Sequence, residues 1–273
     1  METSLGISSA SGWALYPNDD ENEVPPRGNT ESTCESFIDL RKRRFLWYYE
    51  SYMQTIDAEE PKNPPKRRFK KMPFEHSANS MDGHFDYPEL RRRLIAIKEK
   101  IISETEEWPA EGLAARDQEL GIAVNLRHQY EQISQDLKDQ KNFGISLELA
   151  NDNAFLWELT YFGRPMSHLD GGVFKFKIYL SPRFPDEQPR VFMDQPIFHV
   201  RVSKAGVLCY MPQRVDAMRN HVDAIVAAID EESPPYDPRT NVNPEASKLF
   251  WGTPEDRKKY YRSLRRSIEK TWE

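Results

Sequence analysis

The chain is poor in cysteine: 273 residues hold two, with no CxxC pair and no His-rich spacing of the kind that holds zinc. That excludes a disulfide framework, and neither a metal nor a cofactor is implied. No stretch approaches the roughly 18 apolar residues of a helical membrane span, so no span is expected. Met1 to Asp20 lacks a basic region followed by an apolar run, so no secretory signal is read there. Positive charge is not in excess either. The 38 Lys and Arg against 44 Asp and Glu leave a net charge of −6, which argues against nucleic acid as the main partner. Basic runs at 41–44, 66–68 with 70–71, and 91–93 read as solvated helix faces and a linker. The expectation is a cytoplasmic or nuclear protein whose thiols stay reduced.

What is present suits a globular domain with polar extensions: 38% hydrophobic and 30% charged residues, and enough length for a sizeable core plus something extra. Residues 1–33 are rich in Ser, Asn, Asp, Glu, Gly and Pro without periodicity, and disorder is expected. From Cys34 the pattern turns helical, with Phe45, Tyr49, Tyr52 and Ile56 forming a stripe that faces a partner surface. Pro61, Pro64 and Pro65 break it. A second helix follows His84-Phe85-Asp86, carrying Tyr87, Leu90, Leu94, Ile97 and Ile101 at helical spacing, with Asp86 as its cap and Pro88 in its first turn. Two such helices pack as a hairpin or cover a face of a neighbouring domain. The boundaries read as a helical extension over 34–105, a linker over 106–119 and a domain over 120–273.

In that domain Leu126, Tyr130, Ile133 and Leu137 mark an amphipathic helix. Phe143 to Leu149, Phe155 to Tyr161 and Phe174 to Leu180 alternate apolar and polar residues, and Val191 to Met193 adds a short fourth strand after Pro189. Turn-length links between consecutive strands predict an antiparallel meander with one buried face. Val222, Ile225, Val226 and Ile229 predict a buried helix, and Tyr261, Leu264 and Ile268 another over 254–272. The fold class is therefore α+β, a four-stranded sheet flanked by helices.

Phe162-Gly163-Arg164-Pro165, Phe184-Pro185-Asp186-Glu187-Gln188-Pro189, His199 and Gly206-Val207-Leu208-Cys209 follow one another in an order that resembles the core of ubiquitin-conjugating enzymes. The resemblance implies that fold for residues 120–273. It also implies partners: ubiquitin or a ubiquitin-like protein, its activating enzyme, and a ligase or scaffold. Phe45-Leu46-Trp47-Tyr48-Tyr49, Met72-Pro73-Phe74 and Gly83-His84-Phe85-Asp86-Tyr87 resemble the extension that follows the core in the Z subtype of that family, although here nothing before Cys34 has the character of a core. The Gly172 to Phe176 stretch, Asp194 to His199 and Arg219-Asn220-His221 resemble the inactive ubiquitin-conjugating-like protein of the Fused Toes, Hook and FHIP complex.

In the active family a partly exposed cysteine carries the modifier as a thioester, which assigns that role to Cys209. On residue type alone, a cysteine between Leu208 and Tyr210 reads equally as a small buried hydrophobe. Cys34 has no such support. The family histidine supports the loop, here His199. Its oxyanion asparagine is replaced by Arg201, which either turns to a carbonyl oxygen or is solvated or salt-bridged. An acid to orient the incoming lysine is sought before Asn243-Pro244-Glu245-Ala246, and Asp237 serves there only if its loop shifts. Ligase contacts are altered as well: Asp186 stands where an apolar anchor is usual, and Val215 to Met218 lacks the usual tryptophan. Two functions follow, an atypical carrier or a non-catalytic adaptor on the same fold.

Overall fold

The computed structural model describes residues 36–69, 83–116, 120–232, 234, 236–237 and 241–272; the 1–33 segment, Cys34 and Met72-Pro73-Phe74 lie outside them. Alternation along the chain becomes a meander in the order β1-β2-β3-β4: β1 Ile145–Leu149, β2 Leu156–Phe162, β3 Val173–Tyr179 and β4 Arg190–Met193, each antiparallel to the next. The register sets Trp157 opposite Ile178 and Leu159 opposite Phe176, all buried. On the other face Glu158 lies between Glu148 and Lys177, so opposite charges meet across β2 and β3. Phe143 does not join β1 and is exposed, because the chain is still turning after the preceding helix.

The buried sheet face forms a single core with four helices. These are α3 (Leu120–Asp139), α4 (Met218–Asp230), α5 (Pro244–Phe250) and α6 (Pro254–Glu269). Leu126, Ile133 and Leu137 enter the core from α3, Val222, Ile225 and Ile229 from α4, and Tyr260, Leu264 and Ile268 from α6. Each large side chain fully removed from water contributes about 1.5–3 kcal/mol. The start of α6 is fixed by a capping box: Thr253 Oγ1 accepts from Asp256 N, and the Asp256 carboxylate accepts from Thr253 N. The α+β expectation is met.

The first upstream helix matches its pattern in length, and the second is longer than its periodicity suggests. α1 spans Ser36–Glu59 and α2 spans Tyr87–Arg116. Asp86 caps α2 as expected, accepting from Glu89 N at 3.0 Å. The linker expected over 106–119 is helical up to Arg116. Trp108, completely buried, gives that stretch a packing partner that its mixed composition hides. α1 and α2 pack on each other: Lys98 lies 4.3 Å over the Tyr49 ring, and Lys42 binds Glu104 at 2.6 Å. The basic run at 91–93 is paired, with Arg91 on Asp57 and Glu60, and Arg92 and Arg93 on Glu89. Both helices belong to the same compact unit as the sheet.

Candidate functional site

Cys209 is placed by backbone pairing on both sides. The piece from Gly206 folds back along β4, where Met193 N donates to Gly206 O at 2.8 Å and Leu208 N to Val191 O at 3.2 Å. Cys209 N in turn donates to Arg201 O at 2.9 Å. Gly206 makes the reversal possible. Its φ is +81°, and a Cβ there would lie 2.4 Å from the Met193 carbonyl oxygen. The 241–246 stretch closes the other side: Val242 N donates to Val200 O at 3.3 Å, and the Asn243 side chain donates to Val202 O while its oxygen caps α5.

The expected partial exposure of Cys209 does not occur. The residue is 0% exposed, in a small apolar cluster with Val207 and Val242 from its own domain and Leu46, Trp47 and Ile101 from α1 and α2. Burial pushes the thiol up to about 12; Asp237 raises it further, and Arg201, Arg43 and Arg44 only partly offset this. The seam between α1 and the domain, lined by Arg43, Trp47, Pro189 and Leu208 among others, leaves a cavity of about 10 Å³. That is at the lower edge of what a single water needs.

The remaining predicted residues gather around the cysteine. His199 is buried beside the turn, and its Nδ1 accepts from Arg201 N at 3.2 Å. Burial and the nearby Arg201 charge depress its pKa to about 3, so the imidazole stays neutral and its proton sits on Nε2. The salt-bridged alternative for Arg201 is the one adopted: Nη2 binds Glu231 at 3.0 Å, while the buried Nε has no hydrogen-bond partner among the described residues. Asp237 contributes electrostatically to the thiol, raising its pKa. Tyr210, next to the cysteine, donates its hydroxyl to Pro189 O and meets His221 Nδ1 at 3.0 Å.

Residue-type reasoning missed some of the residues that seal the site. Leu46 and Trp47 lie beside the expected aromatic stripe, not on it, and Ile101 takes the second of its two expected roles, covering a face of the neighbouring domain. A wider apolar face on α1, Phe45-Leu46-Trp47 at adjacent positions, was the available signal. Also missed was Arg190, first residue of β4. Its side chain is 2% exposed and reaches both upstream helices: Thr105 Oγ1 at 2.6 Å, Asp39 Oδ1 at 3.4 Å, Glu104 at 3.7 Å, and the Trp108 ring at 4.2 Å. Asp39 also accepts from Gln188 N at 3.2 Å and from Arg43 at 2.9 Å.

One face of α3 is open. A cleft of about 610 Å³ runs between Ile122, Gln129 and Ile133 of α3, the Phe184-Pro185 turn and the Arg214 to Ala217 loop. Asp186 and Val215, which the resemblance sets at ligase-contact positions, are exposed beside it. Among the described residues there is no cluster of His, Cys, Asp and Glu fit for a metal, and no helix is long and apolar enough to cross a membrane.

Residues 126–229 match the family model for ubiquitin-conjugating enzyme. A ubiquitin-conjugating enzyme E2 2 of Neurospora crassa is 28% identical over 138 residues, which cover 48% of this chain and 85% of the relative. The proteins of the same name from Aspergillus fumigatus and Emericella nidulans are each 29% identical over 138 residues, with the same shares covered.

Proposed function

We propose, from the premise that the chain carries a domain of the ubiquitin-conjugating family, that it works as a ubiquitin-conjugating-like binding module. In this reading Cys209 carries no modifier while α1 lies over it. The burial of Cys209 beneath Leu46 and Trp47 supports this above all. Thioester exchange needs a thiolate that a bulky donor can reach. A thiol held near 12 is ionised in only about one molecule in 10⁵ at pH 7, and here it has no free face. The oxyanion donor is changed too: Arg201 is committed to Glu231 in place of an asparagine amide. The family implies ubiquitin or a ubiquitin-like protein, an activating enzyme and a ligase or scaffold as partners, and the open α3 cleft is the surface left for them.

One observation favours a second reading, a carrier. Of the residues that seal the thiol, Leu46, Trp47 and Ile101 all lie outside the 126–229 match. In that reading Cys209 is the nucleophile, His199 fixes the loop through the Arg201 amide, Arg201 faces the carbonyl oxygen through its unpaired Nε, and Asp237 receives the acceptor lysine.

The two readings separate on a non-reducing gel. With activating enzyme, ATP and a panel of modifiers, the full chain is expected to form no thiol-sensitive adduct. An adduct that disappears in Cys209→Ala overturns the binding-module reading in favour of the carrier.

A further inference from the structure

The helices that hide Cys209 are joined to the domain in two unlike ways. The end of α2 is anchored. Trp108 is fully buried, Pro109 O accepts from Asn153 Nδ2 at 3.0 Å, and Gly112 lies so close to the Phe155 ring that a Cβ would come within 2.3 Å of it. The part over the cysteine is held differently. Its apolar contacts, Leu46, Trp47 and Ile101, form a small cluster with Val207, Cys209 and Val242, and none of them enters the main core, whose first buried residue is Ala123. Its remaining grip is polar: Arg190 binds Asp39, Glu104 and the Thr105 hydroxyl, with Asp39 also on Gln188 N.

That division favours movement. Lifting α1 would leave the sheet and α3 to α6 with their core intact. A buried ion pair roughly balances its attraction against the lost hydration of its charges. Opening returns Arg190, Asp39 and Glu104 to water together, so no charge is stranded. A wholly apolar seam would lose its full contribution at once. The chain also has a weak point between the two parts. Pro109, inside α2, has no N–H to give to the carbonyl of Thr105, the residue that Arg190 grips.

We propose that α1 and the part of α2 before Trp108 form a removable cover over Cys209. Arg190 latches it closed, the anchored segment from Trp108 to Gly112 retains it, and opening exposes the thiol without unfolding the domain. The proposal rests on the binding-module reading only in that the closed form is silent. It requires no modifier chemistry.

The test uses the full chain and N-ethylmaleimide, with peptide mass spectrometry to separate Cys209 from Cys34. In the wild type, Cys209 is expected to label far more slowly than in urea-unfolded protein. Labelling of a covered thiol follows the population of the open form, so Leu46→Asp should speed it at least about tenfold. Exchange protection of β2 and β3 should stay at the wild-type level. Arg190→Gln should act the same way and serves if Leu46→Asp does not fold. In the unmodified protein, α1 amides should exchange through an opening cheaper than that of β2 and β3. Labelling unchanged by both substitutions overturns the cover, and so does α1 exchanging only together with the sheet. Failure of the binding-module reading looks different: it is a modifier adduct on the unaltered chain, whatever the labelling rates.

Discussion

Two regions of the domain that matches the ubiquitin-conjugating family model are treated in opposite ways. At the cysteine end, Leu46, Trp47 and Ile101 join Val207 and Val242 in covering the thiol, and the seam leaves about 10 Å³. At the α3 end, a cleft of about 610 Å³ is open and ringed by polar groups such as Gln129, Asp136, Arg214 and Asp216. Backbone pairing shapes both ends, and the Gly206 turn and the Asn243 cap are as well formed as the α6 capping box. What differs is access. A domain can keep the backbone placement of a cysteine while a segment more than a hundred positions away buries its thiol.

The largest effect should come from removing the closed end's anchor. Trp108 is completely buried, with Arg190 stacked over its ring. Trp108→Ala should cost about 3–5 kcal/mol, the range for deleting a buried aromatic side chain whose cavity cannot fully collapse. Urea unfolding measures it. A loss below about 1 kcal/mol would mean that α2 is not retained there, and the contrast between a tethered end and an open one would weaken.

Much of this was legible in the residues, for reasons that also mark where legibility stops. Period-two alternation around Trp157 and Phe176 fixes both strand and buried face, because a slip of one residue would turn every apolar side chain outward. Asp86 and Pro88 give the start of α2 by the chemistry of unpaired helix N–H groups. The end of α2 was not legible. Trp108-Pro109 reads as a break, and only Asn153, Phe155 and Arg190, distant in sequence, make it a packed helix. The site divides in the same way. His199, Arg201, Asp237 and Cys209 do come together, and the choice for Arg201 between a carbonyl oxygen and a carboxylate falls to Glu231. Burial of the thiol depends on Leu46, Trp47 and Ile101, and the pattern around Cys209 carries no trace of them.

Acid should sharpen the contrast by an intermediate amount, because buried neutral imidazoles lie at the closed end. The folded-state pKa of His199 is depressed to about 3, by burial first and Arg201 second, while the unfolded chain binds that proton near 6.5. Above about 6.5 the full stability is present. As pH falls below it, the unfolded state gains a proton that the folded state refuses, so stability drops by up to about 1.4 kcal/mol per pH unit until the imidazole titrates near 3. His221, also depressed by burial, adds to the slope. Urea midpoints across that window should fall less steeply in His199→Gln. An unchanged slope would place the acid sensitivity elsewhere.

The smallest effect belongs to the open end. Asp186 is exposed on the turn after Phe184-Pro185, and its neighbours there are ordered without it: Ser181 Oγ accepts from Arg183 N, and Arg183 binds Glu187 at 2.7 Å. Asp186→Leu should therefore leave the urea midpoint within about 0.5 kcal/mol of wild type, as exposed substitutions away from a cap or ion pair do. Thiol labelling of Cys209 in the same variant tests whether the ends are independent. One route joins them. Phe184 meets the His221 ring edge-on at 6.1 Å, and His221 lies between the Tyr210 hydroxyl and Val215 O. These groups are buried and hydrogen-bonded, so a change of side chain on the solvent side of the turn should not reach them. The labelling rate should match that of wild type. A rate that moves with Asp186 would show that the cleft senses the cover through His221, and the two ends would then be one device.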